Sequence, residues 1–312
     1  MIADKPIKEW PQRKAVTIVA GFKSWEGLVL CADTQETIGD AKRHVPKLRF
    51  EPREKAGDGV APDELAVVFC GATNDGVFLD EMVDRAWIEV QDATSLDEAC
   101  DSIRQTIKGY YREATGLYQP GYVPRTELIF GVKMHRASRL FYSLGPAVTE
   151  RDTYSSGGVG GYMADFLASR MYSNVLGLRE CVILAAYTLF QAKEHVEGCG
   201  GESHIAILRN DGLSGSVNWY RIEALTELLK VSDTTAGNML FHVADLRSSK
   251  EDFRQLLDGV VAELESLRDR SKQDIQFHVN MLKAFYGERE TGDEDEYGFP
   301  TPSASQKSTP EQ

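Results

Sequence analysis

The order of extended and helical segments limits this chain more than any other feature. Apolar strand runs at about 17–23 and 27–33 are followed by an extended segment near 43–50, ending in VPKLRF, and by the strongly apolar ELAVVFCGAT at 64–73. Two helical segments come next. The first carries Val77, Met82, Trp87 and Val90 at roughly helical spacing. The second opens at TSLDEA, where Thr94 or Ser95 can cap and Asp97 and Glu98 suit the positive end of the helix dipole. The strands TELIFGVKMHR and RLFYSL then lead to the glycine cluster SSGGVGG at 155–161. A second helix pair follows, marked by Tyr162, Phe166, Met171 and Val175 and then by LRECVILAAYTLFQAKEHVE. GCGGESHIAILRN returns to strand, and SGSVNWY pairs back across an Asp211-Gly212 turn. Strands, two helices, strands, two helices, strands: this order predicts an α+β chain with two sheets face to face and a helix layer outside each, a four-layer αββα sandwich. A doubly wound sheet would need single helices between parallel strands.

The flanks differ from this body. Residues 1–16 are polar, contain Pro6 and Pro11, and read as an N-terminal extension before a domain at 17–230. Residues 231–287 read as a C-terminal helical extension. There Phe253, Leu256, Leu257, Val260, Leu264 and Leu267 form a helical stripe that Ile275, Val279, Leu282 and Phe285 continue. The stripe suits packing on the parent domain or a subunit contact. Residues 288–312 hold seven acidic and two basic residues among Pro, Ser and Thr, a composition expected to stay disordered.

Composition excludes several function classes. A net charge of −13 over 312 residues argues against nucleic acid as the main partner. Five scattered cysteines have neither zinc spacing nor a disulfide pattern, so we expect buried free thiols, no metal and a reducing compartment. The first residues lack the apolar core of a signal peptide, and no window approaches a membrane span, so a cytoplasmic protein without a membrane partner is expected. No Walker-type lysine follows the glycine cluster, and no other cofactor motif stands out.

Five strings in fitting order resemble the proteasome family of N-terminal-nucleophile (Ntn) hydrolases, over roughly residues 16–220. GLVLCADTQET resembles the family's second strand and turn, where an Asp and a Thr line the site; here they are Asp33 and Thr37. VPKLRF is similar to the segment with the active-site lysine, which maps to Lys47. FCGAT, then a DG pair and a helix, resembles the turn whose glycine N–H forms the oxyanion hole, here Gly71. GGVGGYMADFLASRMY and GCGGESHIAIL resemble the later glycine turn and final strand. The resemblance implies Thr17 as nucleophile, with Thr37 on the substrate side and no cofactor. Peptide or protein would be the substrate, and like or related subunits in a ring would be the partners.

That chemistry has a physical basis. A threonine hydroxyl needs a base, and in this class the base is the residue's own α-amine, which titrates near neutrality. Lys47 would lower the proton affinity of the hydroxyl, and Asp33 would hold and neutralise Lys47. Thr17 falls on the nucleophile if the spacing back from Gly27 is kept; a one-residue shift puts Val16 there instead. The chain also departs from the family's pattern, with Val16 where glycine usually precedes the threonine. Val159, His195 and Gly198 stand at positions of helper serine and aspartate side chains. Three readings therefore stay open: a threonine-type peptidase subunit, a non-catalytic ring or scaffold subunit, and a stand-alone hydrolase acting on a small amide.

Overall fold

Strands that are apolar on every residue need cover on both faces, and that need organises the molecule. The structure, a computed structural model, describes residues 17–38, 41–53, 64–114, 116, 124–245 and 249–286; at 37, 38 and 282–286 it describes the backbone only. The expected extension at 1–16 and acidic tail at 288–312 lie outside these residues.

The strands are β1 (Val19–Ser24), β2 (Gly27–Asp33), β3 (Gln35–Ile38), β4 (Ala41–His44), β5 (Leu48–Pro52), β6 (Ala66–Thr73), β7 (Thr126–Met134), β8 (Ala137–Leu144), β9 (Ala147–Arg151), β10 (Tyr154–Gly157), β11 (Ser203–Arg209) and β12 (Gly215–Ser216). One antiparallel sheet runs β10-β1-β2-β11-β12, a second runs β5-β6-β7-β8-β9, and β3-β4 is a separate hairpin. The helices are α1 (Gly76–Val90), α2 (Leu96–Ala114), α3 (Gly161–Met171), α4 (Leu178–His195), α5 (Trp219–Ala244) and α6 (Lys250–Tyr286).

Side chains alternate between two apolar layers along each central strand. In β2, Leu28, Leu30 and Ala32 meet Val68, Cys70, Ile129 and Leu140 of the other sheet. Val29 and Cys31 point the other way, onto Leu167, Cys181, Ala185 and Leu189 of α3 and α4. In β6, Ala66, Val68 and Cys70 face the sheet interface, whereas Val67 and Phe69 pack beneath Phe78, Met82, Ile103 and Ile107 of α1 and α2. The layers are thus helix, sheet, sheet, helix, as the element order predicts. All five cysteines are buried and free. No helix among the described residues is long and apolar enough to cross a membrane.

Local chemistry sets the helix starts near the site. The Asp75 carboxylate accepts the Phe78 N–H at 3.1 Å and caps α1. At α2, Ser95 Oγ accepts the Glu98 N–H at 3.2 Å while the Glu98 carboxylate accepts the Thr94 N–H at 2.8 Å.

Several details differ from the sequence expectation. The extended segment near 43–50 is broken: β3 (Gln35–Ile38) and β4 (Ala41–His44) pair as a separate hairpin before β5 begins at Leu48. SGSVNWY pairs only through Gly215 and Ser216, and α5 already starts at Trp219. The boundary expected at residue 230 falls inside α5, because nothing in ALTELLKVSDTTAG breaks a helix. The residues marking the third helical segment face outward: Tyr162, Phe166, Met171 and Val175 are exposed, and Gly161, Ala164, Leu167 and Ala168 form the buried side of α3. The C-terminal stripe lies on one continuous helix of 37 residues, about 55 Å long at 1.5 Å per residue. Its late turns reach the start of α5, where His278 stacks on Tyr220 with centroids 5.4 Å apart.

The two sheets pack tightly at Gly131. A Cβ there would lie 2.8 Å from Leu28 Cδ1 and 3.0 Å from Leu30 Cδ1. Gly131→Val should therefore destabilise the protein by about 1–3 kcal/mol through overpacking, read as a lower denaturation midpoint. An unchanged midpoint would show that the sheets can separate without penalty.

Candidate active site

Three strand ends converge at one edge of the sandwich. Thr17 precedes β1, Asp33 ends β2, and Lys47 enters β5. Because β1 and β2 are antiparallel with Val19 opposite Ala32, Thr17 and Asp33 return to the same edge. The second sheet brings Lys47 to them. Thr17 and Asp33 are buried, and the Lys47 side chain is nearly so.

The polar contacts form a closed set. The Thr17 hydroxyl donates to Asp33 Oδ1 and accepts from Lys47 Nζ at 2.5 Å. Lys47 Nζ also donates to Asp33 Oδ1 at 2.8 Å and to the Gln35 carbonyl. An ammonium has three donors, and here each has an acceptor. Asp33 Oδ1 further accepts the Ile18 N–H at 3.2 Å, and its Oδ2 accepts the Gly200 N–H at 2.9 Å. Burial pulls the Lys47 ammonium below its usual value, against the opposing charge of Asp33.

The expected residues fall as follows. Thr17, Asp33 and Lys47 meet directly, in the register that needs no shift to Val16, a residue outside those described. Gly71 lines the same cleft, but its N–H donates to the Lys47 carbonyl at 3.0 Å. An oxyanion would have to share or displace that bond. Thr37 lies in β3 opposite Lys42, and its side chain is outside the described ones. His195 is exposed at the end of α4, and Val159 packs against the α3-α4 core. Gly198 takes a left-handed φ of +95° in the turn that leads to Cys199.

Sequence reasoning missed the groups that hold this arrangement. The Gly160 N–H donates to the Thr17 carbonyl at 2.9 Å, and Gly158, at φ +78°, would place a Cβ 2.3 Å from that oxygen. Only glycine fits there. Glu127 Oε2 accepts the Gly158 N–H at 3.0 Å and pins the turn. Cys199 sits against Ile18 beside the site. Burial, then the charge of Asp33, pushes its thiol up to about 12, so it stays a neutral packing group. Lys193 donates to Ser203 Oγ at 3.0 Å, next to the Ser203–Asp33 register pair, and burial lowers its ammonium too.

A cleft of about 360 Å³ opens from Thr17 and Lys47 between the β5-β6 edge and the first turns of α1. Val45, Phe69, Leu79 and Leu128 supply apolar wall, and Glu36, Arg43, Arg49, Asp75 and Asp80 bring charge. Among the described residues no group of His, Cys, Asp or Glu could hold a metal ion. What the arrangement offers chemically is a hydroxyl polarised by an ammonium at the mouth of a substrate-sized cleft.

Comparison with known proteins adds the fold and no more. No family model matches the chain, and no curated protein matches its sequence. Among solved structures, the helical assembly of the Anbu complex from Pseudomonas aeruginosa aligns with a TM-score of 0.58 at 13% identity, covering 75% of this chain and 98% of that one. Anbu, an ancestral β-subunit, from Yersinia bercovieri gives 0.56 at 15%, covering 75% and 100%. Anbu from Hyphomicrobium sp. strain MC1 gives 0.55 at 17%, covering 71% and 97%. The αββα sandwich is thus a fold that this chain shares with the Anbu structures.

Asp33→Asn should leave the Lys47 ammonium buried without its counter-charge and cost about 3–5 kcal/mol. Adding Lys47→Met should restore most of that loss in a denaturant titration. A double variant no more stable than the single one would show that the two charges do not depend on each other.

Proposed function

We propose that this chain is a proteasome-like threonine-type peptidase or amidohydrolase subunit of a self-compartmentalised assembly, with Thr17 as its N-terminal nucleophile. One observation carries the reading. The Thr17 hydroxyl is bonded to both Asp33 and Lys47 at the mouth of the cleft. A structural threonine needs no ammonium 2.5 Å from its oxygen, and burying that ammonium has a desolvation cost.

The reaction needs the bond between Val16 and Thr17 to be cut, because an amide nitrogen cannot act as a base. The freed α-amine takes the Oγ proton as Oγ attacks the carbonyl carbon of the substrate amide. Lys47 steadies the forming alkoxide, and Asp33 holds Lys47 charged. Collapse of the tetrahedral adduct expels the amine product, which leaves with the proton. Water then releases the acyl group from Oγ by the same base. A backbone donor at Gly71 would stabilise the oxyanion by about 3 kcal/mol. Thr37, on the strand beyond Asp33, is proposed to line the substrate path.

A subunit role has separate support. α3 exposes Tyr162 and Phe166 one turn apart, with Met171 at its end, an apolar face suited to a neighbouring subunit. The neighbour from Pseudomonas aeruginosa is described as a helical assembly. Light scattering at micromolar concentration should give a mass several times 34.7 kDa; a monomer, alone and with partner chains, would remove the assembly from the proposal.

The alternative is a catalytically inactive structural subunit. It is favoured by the Gly71 amide already bonded to Lys47, and by Val159 and exposed His195 where helper groups would stand. The N-terminus of the native protein separates the two. In the peptidase reading the intact mass lacks the first sixteen residues, Thr17→Ala abolishes peptide hydrolysis, and Lys47→Ala lowers it by about two to three orders of magnitude. Protein that keeps Met1 or Ile2 and hydrolyses nothing, alone or in its assembly, is the structural subunit.

A further inference from the structure

The cleft beside Thr17 has an uneven charge pattern that its apolar wall does not explain. Five of its lining residues besides Lys47 are charged: Glu36, Arg43, Arg49, Asp75 and Asp80. Both arginines are already neutralised. Arg43 is bonded to Glu36, and Arg49 Nη2 reaches Glu51 Oε1 and Asp84 Oδ1, each at 2.7 Å. Asp75 is engaged as the cap of α1. Lys47 is matched by Asp33.

Asp80 is the exception. It lines the cleft from the face of α1 that also presents Gly76, Val77 and Val83, yet no hydrogen bond or salt bridge reaches its carboxylate among the described residues. Asp84 stands one turn further along the same helix and shares Arg49 with Glu51, so Arg49, Glu51, Asp84 and Asp80 together carry two excess negative charges. Burial raises the Asp80 carboxyl above its ordinary value; the charge of Arg49 opposes the rise, and the like charge of Asp84 adds a smaller push upward. A cation arriving at Asp80 would gain a partner without breaking one.

The apolar part of the wall of the same cleft is built from Val45, Phe69, Leu79 and Leu128. Such a wall suits a methylene stem, and the carboxylate suits a charged head; lysine and arginine side chains join these two parts in one group. We infer that Asp80 sets the specificity of the cleft for a basic residue of the peptide substrate, its stem on the apolar wall and its head at Asp80. The inference rests on the peptidase reading for its substrate class, and on the cleft alone for its charge preference.

The test separates those two supports. Initial rates on the purified assembly are compared for fluorogenic peptides ending in lysine, norleucine or glutamate before the scissile bond. Equilibrium binding of the same three peptides, without the cleavable dye, is measured on full-length Thr17→Ala protein. Lysine is expected to exceed norleucine by about fivefold, the worth of one partly exposed ion pair, with glutamate weakest. Asp80→Asn should bring lysine down to the norleucine level and leave norleucine unchanged, and Asp80→Lys should raise glutamate above lysine. Added salt should shrink the lysine preference. No turnover, but the expected binding order and its loss in Asp80→Asn, would overturn the peptidase reading and support the inference. Equal binding of lysine and norleucine, a preference for glutamate, no binding of any peptide, or a preference that survives Asp80→Asn would overturn the inference, whether or not peptides are cleaved.

Discussion

A carboxylate buried without exposure to solvent must be given donors, and Asp33 is given four. They come from the Thr17 hydroxyl, the Ile18 N–H, the Lys47 ammonium and the Gly200 N–H. They belong to three parts of the chain: the two residues before β1, the entry to β5 and the turn before β11. The closing of both sheets at this edge therefore depends on one charge. Remove it and the ammonium of Lys47 loses its counter-ion in a place that water hardly reaches. The apolar layers explain why the sheets stack; Asp33 explains why these particular strand ends meet.

The architecture was legible because it rests on block order. Strands such as ELAVVFCGAT, apolar on successive residues, announce cover on both faces, and paired helical segments supply it. Polarity of pattern was less informative where both outcomes were consistent with it. Residues 35–44 alternate no apolar face, so the β3-β4 hairpin carried no signal. Tyr162 and Phe166 have helical spacing, but spacing does not say whether this chain covers them; it leaves both exposed.

The site was half legible. Asp33, Lys47 and Thr17 were found through their side chains, by resemblance, and the structure brings the three together. The groups that fix them are mostly backbone: the carbonyl of Gln35 and the amides of Ile18, Gly160 and Gly200. Every residue has such groups, so no residue type betrays them. Glu127 was missed for another reason. It sits in an apolar strand of the second sheet, and only the crossing of β10 over β7 reveals that its carboxylate holds the Gly158 turn.

The arrangement also says what a cut before Thr17 would and would not change. The Thr17 carbonyl is bonded to Gly160 in a turn that tolerates only glycine, and the hydroxyl is held from both sides by Asp33 and Lys47. Neither anchor involves the nitrogen of Thr17. Cleavage would convert that nitrogen from an amide into an amine while the hydroxyl and its ammonium stay in place. In the proposed reading, activation then supplies the missing base to a nucleophile already oriented, and little reorganisation is left for the reaction itself. In the structural reading the same anchors make Thr17 a tie between β1, β2 and β5, fully used without any base. The two readings share every contact around the side chain and differ in one covalent bond.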